Sequence, residues 1–273
     1  MANNERITVT TEGGVADVRL NRADKMNALD GEMFDALLAR AEELRSDASL
    51  RAVVLSGEGT FCAGLDFSGF ESMASQGEGG DPAAARLGDV ADGQIPHRAQ
   101  QAVYGFSSLR VPVIAAISGV ALGAGIQLAL GSDIRIMAPD ARMSVLEIRW
   151  GIVPDMTGTR RLSEVVGVDV AKELIWTGRM VEGTEAVQLG LATRTSHDPH
   201  AEAMALAHEI AGRSPHAIQA GKRLANAAAQ HDDAAGFAAE RAEIGALVGR
   251  PNQVEAIQAY FEKRAPVFSD PEL

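Results

Sequence analysis

The chain has 273 residues, 46% of them hydrophobic, with a formal net charge of −12. That length suits one large domain or a domain with an appendage, and the apolar share is ample for a core. The acidic balance argues against a nucleic-acid partner, and no apolar run approaches the roughly 18 residues of a membrane helix.

The single cysteine, Cys62, excludes an intrachain disulfide and fits a reducing compartment. With no histidine near it in sequence, Cys62 reads as a small buried packing residue rather than a nucleophile. Residues Met1–Arg6 carry no apolar signal region, so a cytoplasmic location is expected.

In chain order, residues 7–11 and 15–20 read as a strand pair around Glu12-Gly-Gly14. Asp30 is placed to cap a helix running to about Ser46, with Phe34, Leu37, Leu38, Ala41 and Leu44 as its apolar face. Strand 52–56 runs into a first glycine-rich turn, Gly57-Glu-Gly-Thr-Phe-Cys-Ala-Gly-Leu-Asp66. Residues 69–97, with Gly77, Gly79, Gly80, Gly88 and Gly93, bury little, which fits a mobile lid or a neutral surface insertion. A helix over 97–109 precedes strand 113–117, a second glycine-rich turn, an apolar helix over 123–130 and strand 133–137. From 165 to 191 the pattern is helical with glycine breaks. Beyond His197 the chain is Ala-rich, with helices expected over 199–212, 215–230, 234–248 and 252–263.

The second glycine turn, Ser118-Gly-Val-Ala-Leu-Gly-Ala-Gly-Ile-Gln-Leu-Ala-Leu130, is the most informative stretch. Gly123 and Gly125 allow close approach of backbone, and the following helix aims its free N–H groups at the same place. Three readings fit: close helix–strand packing, a dinucleotide site, or an oxyanion hole. The dinucleotide reading is weak, because position 128 is Leu where Gly-x-Gly-x-x-Gly needs its third glycine. The oxyanion reading gains from the first glycine turn, which also follows an apolar strand. Two strand ends with exposed amides can hold one oxygen between them. Further on, Glu147 and Asp155 flank a Gly and a Pro in apolar sequence, where carboxylates have raised pKa values and serve as acids and bases.

Gly57–Asp66, Gly119-Val-Ala-Leu-Gly-Ala-Gly125 and Glu147-Ile-Arg-Trp-Gly-Ile-Val-Pro-Asp-Met-Thr-Gly-Thr-Arg-Arg-Leu162 together resemble the enoyl-CoA hydratase/isomerase (crotonase) superfamily. They stand in the family's order and at its separations, and Asn21–Leu29 and Ala259–Arg264 resemble it too. The resemblance spans nearly the whole chain. It implies an α/β fold: a spiral core of repeated β-β-α units over residues 1–196 holding the CoA and oxyanion site, and a C-terminal helical region over 197–273 for oligomerisation and cover. It implies an acyl-CoA thioester as substrate, no cofactor beyond the CoA of that substrate, no metal, and a homotrimer or hexamer.

Residue by residue, the resemblance implies oxyanion donors at the Leu65 and Ala124 N–H groups, where backbone matters more than side chain. It places one acid/base at Glu147. The position of a second hydratase glutamate is Gln127, a departure that counts against two-glutamate hydration. Asp155 falls where dienoyl-CoA isomerases carry an aspartate. CoA contacts are implied at Lys25, Met26, Ala28, Ala63, Leu65, Asp66 and Phe67, with Gln127 among the substrate contacts, and at Tyr260 and Lys263, often from a neighbouring subunit. The plainer alternatives are an ion pair of Glu147 with Arg142 or Arg149, a helix N-cap at Asp155, and an ordinary exposed helix at 260–263. Double-bond isomerisation by Glu147 and Asp155 is the expected activity. Hydration by Glu147 with Gln127 orienting water, or acyl-CoA binding without catalysis, are the alternatives.

Overall fold

In the computed structural model, which describes residues 5–67, 90, 96–228 and 230–272, a six-stranded sheet carries the chain. Its order is β1 (Ile7–Glu12), β2 (Val15–Leu20), β3 (Ala52–Gly57), β4 (Val113–Ile117), β6 (Ile134–Met137) and β9 (Arg194–Thr195). The β1–β2 hairpin is antiparallel and every later pair is parallel. β4 has the sequence Val-Ile-Ala-Ala-Ile, buried at all five positions. Such a continuous apolar run marks a strand covered on both faces. Successive side chains point to opposite faces: Val113, Ala115 and Ile117 join one core, while Ile114 and Ala116 join the other.

On the first face pack α1 (Gly31–Arg45) and α2 (Arg98–Ser107). Asp30 caps α1, its Oδ1 accepting from Met33 N–H at 2.8 Å. The second face is closed by α7 (Pro199–Ala211), whose Ala203 and Ala207 pack on Val15, Val54, Ile114 and Ile136. Small residues there let the helix sit close to the sheet.

A second, three-stranded sheet holds β5 (Val120–Leu122) between Cys62 and β7 (Arg142–Ser144), with β8 (Val181–Glu182) beyond. The purely helical expectation for 165–191 is corrected here. Helices α4 (Gly158–Val166), α5 (Val168–Thr177) and α6 (Gly183–Leu189) are interrupted by β8, which pairs antiparallel with β7 forty residues earlier in the chain. A two-residue strand held by a distant partner leaves no periodicity to read. The apolar helix after the second glycine turn is α3 (Ala124–Leu130), and helices α8 (Pro215–Ala228), α9 (Asp233–Leu247) and α10 (Pro251–Glu262) follow α7. The segment expected as a lid or insertion, 69–97, lies outside the described residues except for positions 90, 96 and 97. No helix among the described residues is long and apolar enough to cross a membrane.

Candidate active site

Parallel pairing brings the loops of this site together. β2, β3 and β4 lie side by side, with Leu20 opposite Gly57 and Leu55 opposite Ala115. Their carboxyl ends therefore release three neighbouring loops, 21–29, 58–66 and 118–123. In sheets of this kind a crevice outside the strand carboxyl ends is the usual place for a ligand.

Asn27, fully buried, binds the first two loops. Its Nδ2 donates to Glu58 O at 3.1 Å and Thr60 O at 2.6 Å, and its Oδ1 accepts from Arg22 N–H at 2.8 Å. Ala63 N–H donates to Met26 O and Leu29 N–H to Gly64 O. Cys62 lies beneath them, fully buried, and burial pushes its thiol up to about 12. That is the environment of a packing residue, as expected.

The two glycine turns meet at Gly64. Its φ is +100°, and a Cβ there would stand 2.6 Å from Leu122 O and 3.7 Å from Ala124 N. Only glycine fits both the conformation and the gap. Gly64, next to Leu65, thus lies against the start of the helix that opens with Ala124, and among the described residues neither the Leu65 N–H nor the Ala124 N–H donates to a backbone or side-chain acceptor. Two such groups can take one oxygen that gains negative charge.

Glu147 reaches the same place through β7. β5 and β7 run parallel, with Leu122 opposite Ser144, so the segments leaving the two strands lie side by side. Gly123 and Ala124 come after β5; Glu147 comes after β7, on a 3-10 turn, Leu146–Trp150. A Cβ built on Gly123 would lie 3.6 Å from Glu147 Oε1 and 4.0 Å from Oε2. Glu147 is only 6% exposed. Its Oε1 accepts from Gln127 Nε2 at 2.6 Å, while Oε2 is buried without a partner among the described residues. Burial pushes its carboxyl above the usual range and the like charge of Asp155 adds to that. Its own backbone N–H and Gln127 pull the other way. No ion pair joins Glu147 to Arg142 or Arg149 among the described residues.

Gln127, on α3 and 2% exposed, donates to Glu147 and accepts at Oε1 from Met156 N–H (2.7 Å) and Gly158 N–H (3.1 Å). Asp155 is 60% exposed and forms no helix cap: the N-cap of α4 is Thr157, which makes no side-chain cap bond. Its carboxylate lies 3.9 Å from His97 Nε2. His97 was missed by sequence reasoning. It caps α2 through Nδ1, which accepts from Gln100 N–H at 3.3 Å, and this leaves Nε2 turned to Asp155.

Lys25 and Met26 are exposed on loop 21–29, beside Ala28 and Ala63. Asp66 is ion-paired with Arg22 at 2.7 Å. Phe67 meets Trp150 edge to face, with centroids 6.1 Å apart, and so links the first glycine turn to the turn that carries Glu147. Tyr260 and Lys263 stand at the end of α10, and the ring of Tyr260 packs against Phe261. No hydrogen bond, ion pair or ring contact joins them to the site among the described residues.

A family model described as enoyl-CoA hydratase/isomerase matches residues 10–271. The chain belongs to this family. An enoyl-CoA hydratase structure from Bacillus anthracis superposes on it with a TM-score of 0.85 at 30% identity, covering 96% of this chain and 98% of that one. The α/β crotonase-type fold, with its C-terminal helices, is therefore present. The mouse mitochondrial enoyl-CoA hydratase domain-containing protein 2 is 34% identical over 263 residues, covering 93% of this chain and 84% of the relative. Mouse mitochondrial methylglutaconyl-CoA hydratase is 32% identical over 261 residues, with 93% and 79% covered. As a member of this family the chain is an acyl-CoA enzyme.

Proposed function

We propose that this enzyme holds the carbonyl oxygen of an acyl-CoA thioester between Leu65 N–H and Ala124 N–H while Glu147 moves a proton at the neighbouring carbons, relocating the double bond of an enoyl- or dienoyl-CoA. The observation that carries this is the buried Oε2 of Glu147, without a partner among the described residues, beside the turn that presents Ala124 N–H. A carboxyl whose pKa burial has raised exchanges protons well nearer neutrality. As the carboxylate takes the α proton, the C–H electron pair moves into the enolate and its charge onto the thioester oxygen, where the two amides stabilise it. The proton returns from Glu147 at the γ carbon of a 3-enoyl-CoA or the ε carbon of a 3,5-dienoyl-CoA; where a protonated Asp155 delivers it instead, Glu147 passes its own proton to Asp155 before the next turnover, so nothing is gained or lost overall. Asp155 supports this role because it is exposed, its charge acts on Glu147 and it serves no cap.

Hydration by Glu147 alone is the second reading, favoured by the hydratase names of the relatives. Against it, the carbonyl of Gln127 already accepts two backbone N–H groups instead of a water. A binding protein without catalysis fits poorly with a buried carboxyl oxygen that has no partner among the described residues. In this proposal Lys25, Met26, Ala28, Ala63, Leu65, Asp66 and Phe67 border the CoA, Tyr260 and Lys263 approach it from another subunit, and no further cofactor is needed. Assembly as a homotrimer or hexamer uses the helices after His197, whose Phe237, Ile244, Ile257 and Phe261 are exposed. Sedimentation of a stable monomer at micromolar concentration would refute that assembly.

The deciding experiment offers crotonyl-CoA, a 3-enoyl-CoA and a 3,5-dienoyl-CoA separately. Dominant turnover of either of the last two supports isomerisation. Dominant hydration of crotonyl-CoA moves the second reading ahead, and binding without any turnover removes both.

A further inference from the structure

Two backbone N–H groups, from Met156 at 2.7 Å and Gly158 at 3.1 Å, converge on one side-chain atom of Gln127. A carboxamide oxygen only accepts and its nitrogen only donates. The converging donors therefore require oxygen at that atom, and the amide nitrogen must face Glu147 Oε1, 2.6 Å away. The fit is tight: a Cβ on Gly158 would fall 2.7 Å from both Cγ and Cδ of Gln127. Met156 and Gly158 follow Asp155 by one and three residues, so one buried amide grips Glu147 with one end and the turn after Asp155 with the other.

We propose that Gln127 is a positioning residue, a strut that sets the relation between the two carboxylates and reserves Glu147 Oε2 for proton exchange. With an N–H donor in front of it, Oε1 is held as an acceptor, and a proton on that oxygen would oppose the donor. The proton of neutral Glu147 therefore rides on Oε2, the oxygen with no partner among the described residues. The strut stands on these contacts alone; the use of Oε2 against substrate rests on the function proposed above. The titratable groups around it are Glu147, Asp155 beyond the turn, and His97 at 3.9 Å from Asp155.

The test uses Gln127→Met, which keeps bulk but loses both ends of the amide, and Gln127→Glu. Folding is checked by circular dichroism. In folded Gln127→Met, KM for the acyl-CoA stays near the parent value and kcat falls by about 100-fold, the scale of a small misplacement of reacting groups. The Glu147 titration midpoint also moves up, because a donor to the ionised form is gone. That midpoint is read without substrate by carboxyl 13C NMR, the signal being identified by its absence in Glu147→Gln. An unchanged midpoint overturns the strut, as does parent kcat in an enzyme that turns over.

If Gln127→Met does not fold, Gln127→Glu decides. Its carboxylate still accepts from Met156 and Gly158, but its other oxygen meets Glu147 Oε1, so the two groups titrate as a coupled pair with separated midpoints. A single unperturbed Glu147 titration in that variant overturns the proposal. If the parent turns over no enoyl-CoA, the functional reading fails by itself, and the NMR midpoints still decide the strut.

Discussion

Gly125→Ala tests whether the two glycine turns form one oxygen-binding place. A Cβ on Gly125 would fall 3.0 Å from Cys62 Cβ and 3.1 Å from the Cys62 carbonyl carbon, and nearer still to its oxygen. Carbon pairs settle at about 3.5–4.0 Å, so α3 and the Cys62 backbone must part by roughly 0.5–1 Å. Cys62 cannot yield easily, because its N–H and C=O are both bonded to the β5 strand, at Val120 O and Leu122 N. The start of α3 moves instead, and with it the Ala124 N–H next to the substitution. Overpacking of this kind costs about 1–3 kcal/mol of stability. Loss of one oxyanion donor costs about 2.7–4 kcal/mol of transition-state stabilisation, or about 10²–10³-fold in kcat. The assay is kcat and KM on whichever acyl-CoA the parent turns over, with unfolding followed in denaturant. The expected result is a folded, weakened protein whose kcat falls far more than its affinity. A folded Gly125→Ala with parent kcat would refute the placement of the donor at Ala124.

Glu147→Gln should lower turnover by about 10²–10⁴-fold while acyl-CoA binding, measured by calorimetry, survives. Its stability should change with the opposite sign. Burial holds the folded-state pKa of Glu147 above that of the unfolded chain, so parent stability falls as pH rises from about 4.3 through the folded pKa and stays reduced above it. The variant should therefore melt higher than the parent at about pH 8, with the advantage shrinking as pH falls through the folded pKa of Glu147 and gone below about pH 4; no such pH dependence would contradict a buried, raised carboxyl. Asp155→Asn should leave stability within about 0.5 kcal/mol, as an exposed side chain that caps nothing, yet impair isomerisation by about 10²-fold or more. Near-parent turnover on both 3-enoyl- and 3,5-dienoyl-CoA would sink the isomerase reading. The Cys62 thiol, pushed up to about 12 and fully buried, should resist alkylation in the native protein and react only after unfolding. Rapid native labelling, followed by mass spectrometry, would show that the loop above it opens.

Much of the fold was legible in the chain because its signals are local. The continuous apolar run at 113–117, the alternation at 15–20, Asp30 before an apolar helical face, and the prolines at 215 and 251 each act through neighbours in sequence. The family motifs were legible for a related reason: a glycine at 64 or 125 answers a close backbone approach that a side chain would force apart. The site's internal wiring was not legible. Gln127 reads as a lost acid until the fold brings Met156 and Gly158, 29 and 31 residues away, onto its oxygen. For Asp155 the sequence leaves a helix cap open beside the acid/base role, and only the structure puts Thr157 at the N-cap. His97 gives no signal at all, since its partner Asp155 lies 58 residues on. Short strands such as β5, β7 and β8 exist only through pairing between distant segments. The sequence alone determined the longer elements, the family and the candidate acid Glu147. Which oxygen of Glu147 lacks a partner among the described residues, and what holds the other, was decided only by tertiary structure, because a hydrogen bond between residues far apart in the chain has no local energetic trace.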